Sequence, residues 1–190
     1  MKEVCMQNIQ KFRRLYALKE VYRHCSVGNR KESVAEHTWS ALMLADYILT
    51  KSKIAIDRVK VYELLLYHDI VEIEAGDIPI HHEEKRIHKQ ENERKAILKL
   101  NKQLPKEVAD KLAFLFEEFE AQQTPEAKFA RAIDKLDATI HELDYKEDWK
   151  GWNEKMLRKY HDHAVSVFPE TKKLFEKIVA YVKKNDYFRK

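Results

Sequence analysis

Only three glycines and four prolines punctuate the 190 residues of this chain. Sandwiches and barrels turn every ~8–12 residues, and those turns draw on Gly and Pro. So few breakers leave one inexpensive solution, long helices joined by short connections, and the fold class expected is all-α. Nearly every segment agrees, because its apolar residues recur with helical rather than alternating spacing.

Residues 3–23 read as a first helix, with Ile9, Phe12, Leu15 and Tyr16 on one face. Residues 24–32 read as a polar connector containing Gly28-Asn29. Ser33-Val34-Ala35-Glu36 has the form of a capping box, which opens a helix carrying Ala41, Leu44, Ala45 and Ile48 inward. Asp57 starts a third helix through Val61, Leu64, Leu65 and His68, broken by Glu74-Ala75-Gly76-Asp77-Ile78-Pro79. The charged stretch 84–103 reads as a solvated helix. Pro105 begins a helix to about 121, and Thr124-Pro125 caps another to about 147. Helices at about 149–166 and 169–186 complete one domain over 1–190, with no segment reading as strand.

Lys plus Arg is 36 against 32 for Asp plus Glu, a net charge of +4, which excludes the clustered basic surface of a nucleic-acid binder. A phosphate-bearing small molecule remains a suitable partner for such a surface. No run of ~18 apolar residues occurs, so no membrane span is expected. Met1-Lys2-Glu3-Val4 opens no apolar run, so no signal peptide is expected. Cys5 and Cys25 form no framework and read as free thiols of a cytoplasmic protein, Cys25 as a small apolar side chain.

The chemistry centres on His68-Asp69 at the end of the apolar run Leu64-Leu65-Leu66-Tyr67. A His beside an Asp on a buried helix is costly unless both are satisfied, and a divalent metal satisfies both. His37 lies one helix upstream, on the face of Ala41, Leu44 and Ile48. Asp134 lies two helices downstream, beside the apolar face of Phe129, Ile133, Leu136 and Ile140. Glu72 follows His68 by one turn and shares its face if the helix continues. Three helices thereby bring two His, two Asp and a Glu towards one point.

The order His, then His-Asp, then Asp resembles the HD superfamily. Glu32-Ser33-Val34-Ala35-Glu36-His37, Tyr67-His68-Asp69-Ile70-Val71-Glu72, Gly76-Asp77-Ile78-Pro79, and Phe119-Glu120-Ala121-Gln122 through Ala127-Lys128-Phe129-Ala130 to Asp134 resemble its YfbR-like 5′-deoxyribonucleotidase branch. The likeness covers about residues 5–145. It implies a compact helical bundle, often a homodimer, holding one divalent metal (Co, Mn, Zn, Fe, Ni or Mg) on His37, His68, Asp69 and Asp134. It implies hydrolysis of nucleoside, preferentially deoxyribonucleoside, 5′-monophosphates. Glu72 then takes the role of general base, and Asp77 orients water or protonates the leaving oxygen. Arg30 stands seven residues before the first His ligand and Arg23 near the family's Arg-Trp pair, both as phosphate contacts, while His82 lies where the pocket is lined. The tryptophan of that pair is absent from Tyr22-Arg23-His24, so the resemblance does not extend to the residue that tells against a ribose 2′-hydroxyl.

Other readings of these residues exist. Glu36 serves the capping box alone, and Asp137 and His141 support Asp134 or face solvent. Trp39, Trp149 and Trp152 read as packing residues. His81, His82 and His88 keep open a dinuclear-metal alternative, a di-iron oxygenase or cyclic-dinucleotide phosphodiesterase, although His81 and His82 fit better as substrate contacts or surface. A non-catalytic metal-holding protein needs neither Glu72 nor Asp77, and both are present.

Overall fold

A computed structural model describes residues 5–188. Helices dominate: α1 (Met6–Phe12), α2 (Val34–Lys51), α3 (Arg58–Tyr67), α4 (Glu72–Ala75), α5 (Glu83–Arg86), α6 (Lys89–Gln103), α7 (Lys106–Ala121), α8 (Pro125–His141), α9 (Glu154–Val165) and α10 (Pro169–Lys184). The helix α8 is the axis, touching α2, α3, α7, α9 and α10. Its Phe129, Ala130, Ala132, Ile133 and Leu136 have no solvent exposure. The same core takes in Val61, Leu64 and Leu65 of α3 and Phe175, Ile178 and Val182 of α10. A smaller cluster of Leu100, Leu104, Leu112 and Phe116 joins α6 to α7.

The local signals for α2 hold in detail. The Ser33 hydroxyl accepts from the Glu36 N–H at 3.3 Å, and the Glu36 carboxylate accepts from the Ser33 N–H at 2.9 Å. Thr124 caps α8 by accepting from the Ala127 N–H at 3.2 Å, with Pro125 in the first turn.

Four departures from the sequence expectation bear on the site. Residues 22–33 form an antiparallel hairpin, β1 (Tyr22–Val27) and β2 (Arg30–Ser33), in place of a connector. Gly28, at φ +58, makes its turn. The strands are short and mostly polar, so no alternation announces them. The first helix stops at Phe12 and continues as a 3-10 helix over Arg13–Glu20. Its Ile9, Phe12 and Tyr16 are exposed, and Leu18 is the residue it buries; residues 3 and 4 lie outside the described range. The third helix ends at Tyr67, and tight turns carry the chain on, with Ile70 N–H bonded to Tyr67 O and Glu72 N–H to Asp69 O. Glu72 therefore opens a new short helix, which Gly76 ends at φ +74. The last departure is at the end of α8, which stops at His141; two 3-10 turns, Glu142–Asp144 and Lys146–Trp149, lead to α9 at Glu154.

Candidate metal centre and its cavity

His37 on α2 and His68 at the end of α3 are buried, with ring centroids 5.5 Å apart. Each has its Nδ1 committed. His37 Nδ1 donates to Asp137 Oδ2 at 2.8 Å, and His68 Nδ1 donates to the Leu65 carbonyl at 2.7 Å. Ser40 Oγ donates to the same Asp137 oxygen at 2.8 Å. In the neutral imidazole such a bond fixes the tautomer and makes Nε2 the nitrogen with the lone pair. Both Nε2 atoms are buried without a hydrogen-bond partner.

Carboxylates surround these nitrogens. Asp69 Oδ2 lies 3.0 Å from His68 Nε2 and 3.8 Å from His37 Nε2. Asp134 Oδ1 lies 3.2 Å from His37 Nε2 and 4.0 Å from His68 Nε2. Ligand atoms of His37, His68 and Asp69 all fall within 4.8 Å of one another. Two orphaned imidazole nitrogens facing carboxylate oxygens are the donor set of a borderline divalent ion, so the residues fit a metal.

The carboxyls here differ in charge. Burial alone raises Asp69, but His68 and then His37 outweigh it and hold the group below the usual carboxylate range. Burial also works against Asp134, where Lys135 and His37 win and keep it ionised. Glu72 goes the other way, pushed well up by burial and then by Asp69 and Asp77, and its Oε2 has no partner. Asp77 is likewise raised, first by burial, against the pull of Arg23. Burial and Arg23 lower the basicity of His37, yet Asp134 and Asp137 lift it to about 9. A metal entering here displaces that proton. Metal affinity is therefore expected to rise with pH, roughly tenfold per unit up to about pH 9. Chelator-buffered titrations at several pH values check this, and an affinity flat with pH would contradict it.

Asp69, Glu72, Asp77 and Asp134 open onto one cavity of about 130 Å3. The sequence reading missed its cationic wall, Arg86, Lys89, Arg131 and Lys135, which also lines this cavity. Lys135 Nζ lies 3.0 Å from Asp134 Oδ2. Lys89 pairs with buried Glu93, and Arg131 pairs with Glu120 and stacks its guanidinium 4.0 Å from the Phe119 ring centroid. Part of the stretch read as solvated thus faces the site. Arg23, on β1, joins the wall; burial works against its charge, yet the surrounding anions, with Glu32 at 3.2 Å, hold it firmly cationic.

Two expected substrate contacts are not brought to this cavity. Arg30 is spent on Glu36, which it binds at 2.8 and 2.5 Å while helping to pull that carboxyl down to about 2. Both residues border a separate recess with Tyr22 and Trp39. Glu36 thus serves Arg30 as well as the capping box, and Trp39 is 66% exposed rather than packed. His82 lies in a neighbouring recess with Tyr22, His24 and Lys85. The His81 and His82 rings stand 86° apart, so His81 lines the main cavity in its place. His88 is exposed beside Glu91, and among the described residues no second cluster matches the spacing of the His37 group. His141 Nε2 bonds the Ser26 carbonyl at 2.7 Å and stacks on Tyr145. Trp149 is buried as expected, Trp152 is half-buried, and Cys25 is buried with its thiol donating to Glu142 at 3.3 Å.

Similarities to known proteins follow this geometry. Residues 15–174 match the HD domain family. The curated 5′-deoxynucleotidase HDDC2 of Danio rerio is 30% identical over 127 residues, 67% of this chain and 60% of that protein. The 5′-deoxynucleotidase hdd1 of Schizosaccharomyces pombe is 28% identical over 126 residues, 64% of this chain and 62% of that one. The chain thus spans about three-fifths of the length of these relatives. A solved structure, described as a predicted metal-dependent phosphohydrolase from Magnetospirillum magnetotacticum MS-1, superposes with a TM-score of 0.80 at 28% identity, covering 97% of this chain and 95% of that one. An HD-domain phosphohydrolase from Listeria innocua, 21% identical with a TM-score of 0.63, shares the fold. With the match covering residues 15–174 and two buried histidines and a half-buried aspartate gathered in one cluster, this chain belongs to the HD-domain family.

Proposed function

We propose that the chain is a metal-dependent phosphomonoesterase that removes the 5′-phosphate of nucleoside monophosphates, deoxyribonucleotides foremost. The observation that carries this reading is the pair of buried, unpartnered Nε2 atoms beside a cavity that is anionic at its metal end and cationic along its wall. The names of the curated relatives support the nucleotide as substrate.

In this reading His37, His68, Asp69 and Asp134 hold one divalent ion. When bound, that ion supplies positive charge to phosphate oxygens and acidifies water. Arg23, Lys89, Arg131 and Lys135 neutralise the phosphate and hold it in line. Glu72, buried with an unpartnered Oε2 on the cavity wall, takes a proton from the attacking water. Asp77, raised by burial, gives its proton to the 5′-oxygen as the P–O bond breaks. The products are a nucleoside and inorganic phosphate.

The chain acts in this reading as one domain in the cytoplasm, supported by the core shared between α3, α8 and α10 and by cysteines that are free. No helix among the described residues is long and apolar enough to cross a membrane. A second copy of the chain is its partner. The exposed Trp39, Met43 and Tyr47, at i, i+4 and i+8 on α2, support a homodimer, and solution mass checks it. The deciding experiment for the activity is phosphate release from ribo- and deoxyribonucleoside monophosphates with added cobalt or manganese. Release from a chromogenic phosphate ester but from no nucleotide would overturn the substrate assignment.

A further inference from the structure

The cavity has a corner that phosphate chemistry leaves unused. The His81 ring stands edge-on to Trp152, 5.6 Å between centroids at 76°, and to His24 at 5.7 Å. Trp152 is held in turn by its neighbours. Its backbone N–H bonds the Trp149 carbonyl at 2.9 Å, and Trp149 Nε1–H bonds the Glu142 carbonyl at 2.9 Å. The side chain of Glu142 faces the same cavity. Among the described residues its side-chain partner is the Cys25 thiol, a weak donor to Oε1. A phosphate and a metal require neither aromatic rings nor an underused carboxyl.

We propose that His81 and Trp152 hold the base of the leaving nucleoside, and that this base is a planar heterocycle carrying an amino substituent, read by Glu142. The inference rests on the phosphomonoesterase reading above and adds the residues that select the base. Aromatic faces stack on any base, so the two rings supply affinity without discrimination. Glu142 supplies the discrimination. Burial raises its carboxyl to about 7. When ionised it accepts from an exocyclic amino group; when protonated it also donates to the ring nitrogen beside that group. Thymine and uracil present two carbonyls flanking one N–H, and an ionised carboxylate repels both. Amino-bearing bases are therefore preferred.

The test uses the metal-loaded protein and three phosphate esters: deoxyadenosine 5′-monophosphate, thymidine 5′-monophosphate and deoxyribose 5-phosphate, which keeps sugar and phosphate but lacks a base. Trp152→Ala is expected to raise KM for deoxyadenosine monophosphate by about 10- to 100-fold, the loss of one stacking contact. Hydrolysis of deoxyribose 5-phosphate should stay within about twofold of the unmodified protein. Trp152→Phe should restore most of the loss, and His81→Ala, in a half-buried turn, repeats the test should Trp152→Ala fold poorly. Glu142→Gln should shrink the preference for deoxyadenosine over thymidine monophosphate. Equal losses on all three esters, or none on any, would overturn the subsite. So would an unmodified protein that cleaves the base-free ester as well as the nucleotides, although the phosphomonoesterase reading would then stand. A metal-loaded protein that releases phosphate from none of the three overturns that reading itself.

Discussion

Asp69→Ala is expected to leave the purified protein without metal and without phosphate release. Asp69 Oδ2 is the carboxylate oxygen nearest His68 Nε2, at 3.0 Å, and it also faces His37. Its removal takes away a negative charge and a donor together, leaving two imidazole nitrogens and Asp134 to face the cation. The effect should exceed that of Asp137→Ala. Asp137 only orients His37 through Nδ1, and loss of such an orienting carboxylate costs ~10–100-fold in metal affinity or activity. Metal content after dialysis, measured for both variants, gives the order. Asp69→Ala retaining a full equivalent of metal would refute the proposed ligand set. The fold should survive, because Asp69 is partly exposed and the apolar contacts of Leu64 and Leu65 remain.

Glu72→Gln is expected to separate chemistry from binding. The carboxyl is buried, carries an unpartnered Oε2, and lines the cavity beside Asp69 and Asp77. Gln keeps the shape and removes the base, so turnover should fall by about 10²–10⁴-fold while metal content is unchanged. KM should change little, since Glu72 is proposed to touch the attacking water rather than the phosphate. Stability should hold or rise, because a neutral side chain replaces an acid crowded by two others. A variant of unchanged turnover would remove Glu72 from the mechanism. A variant without metal would make it a ligand.

What the sequence discloses, and what it withholds, follows from how each residue reaches the site. His37, His68 and Asp134 sit on or beside apolar helical faces, and periodicity alone points them inward, where they are found buried. Arg131, Asp134, Lys135, Ala138, Thr139 and Glu142 form one stripe along and just beyond α8, and all line the cavity. Its polar members are legible at helical spacing beside the apolar face of Phe129, Ile133 and Leu136, but Asp134 alone among them enters the sequence reading. Lys89 and Glu93 gave no such signal, because i, i+4 charge pairs are ordinary on exposed helices and nothing local marks Glu93 as buried or Lys89 as facing the cavity. The hairpin was hidden for a different reason. Its strands are steadied by distant partners, with Asp148 accepting from the Ser26 N–H and hydroxyl at 2.7 and 2.8 Å, and no local pattern reports contacts made more than a hundred residues away. Arg30 shows the converse error, since its family position pointed to phosphate while its nearest carboxylate, Glu36, claimed it.

Because Asp134 lies on α8 and Glu142 caps its end, one helix sets the separation between the two halves of the cavity. Eight residues at the helical rise amount to about 12 Å. Packed against five other helices and open to the cavity along one stripe, α8 is stiff along its axis, so this length does not follow the motions of loops. In the proposed reading the metal end and the base end of a nucleotide are therefore held at a span fixed in advance, as between the jaws of calipers.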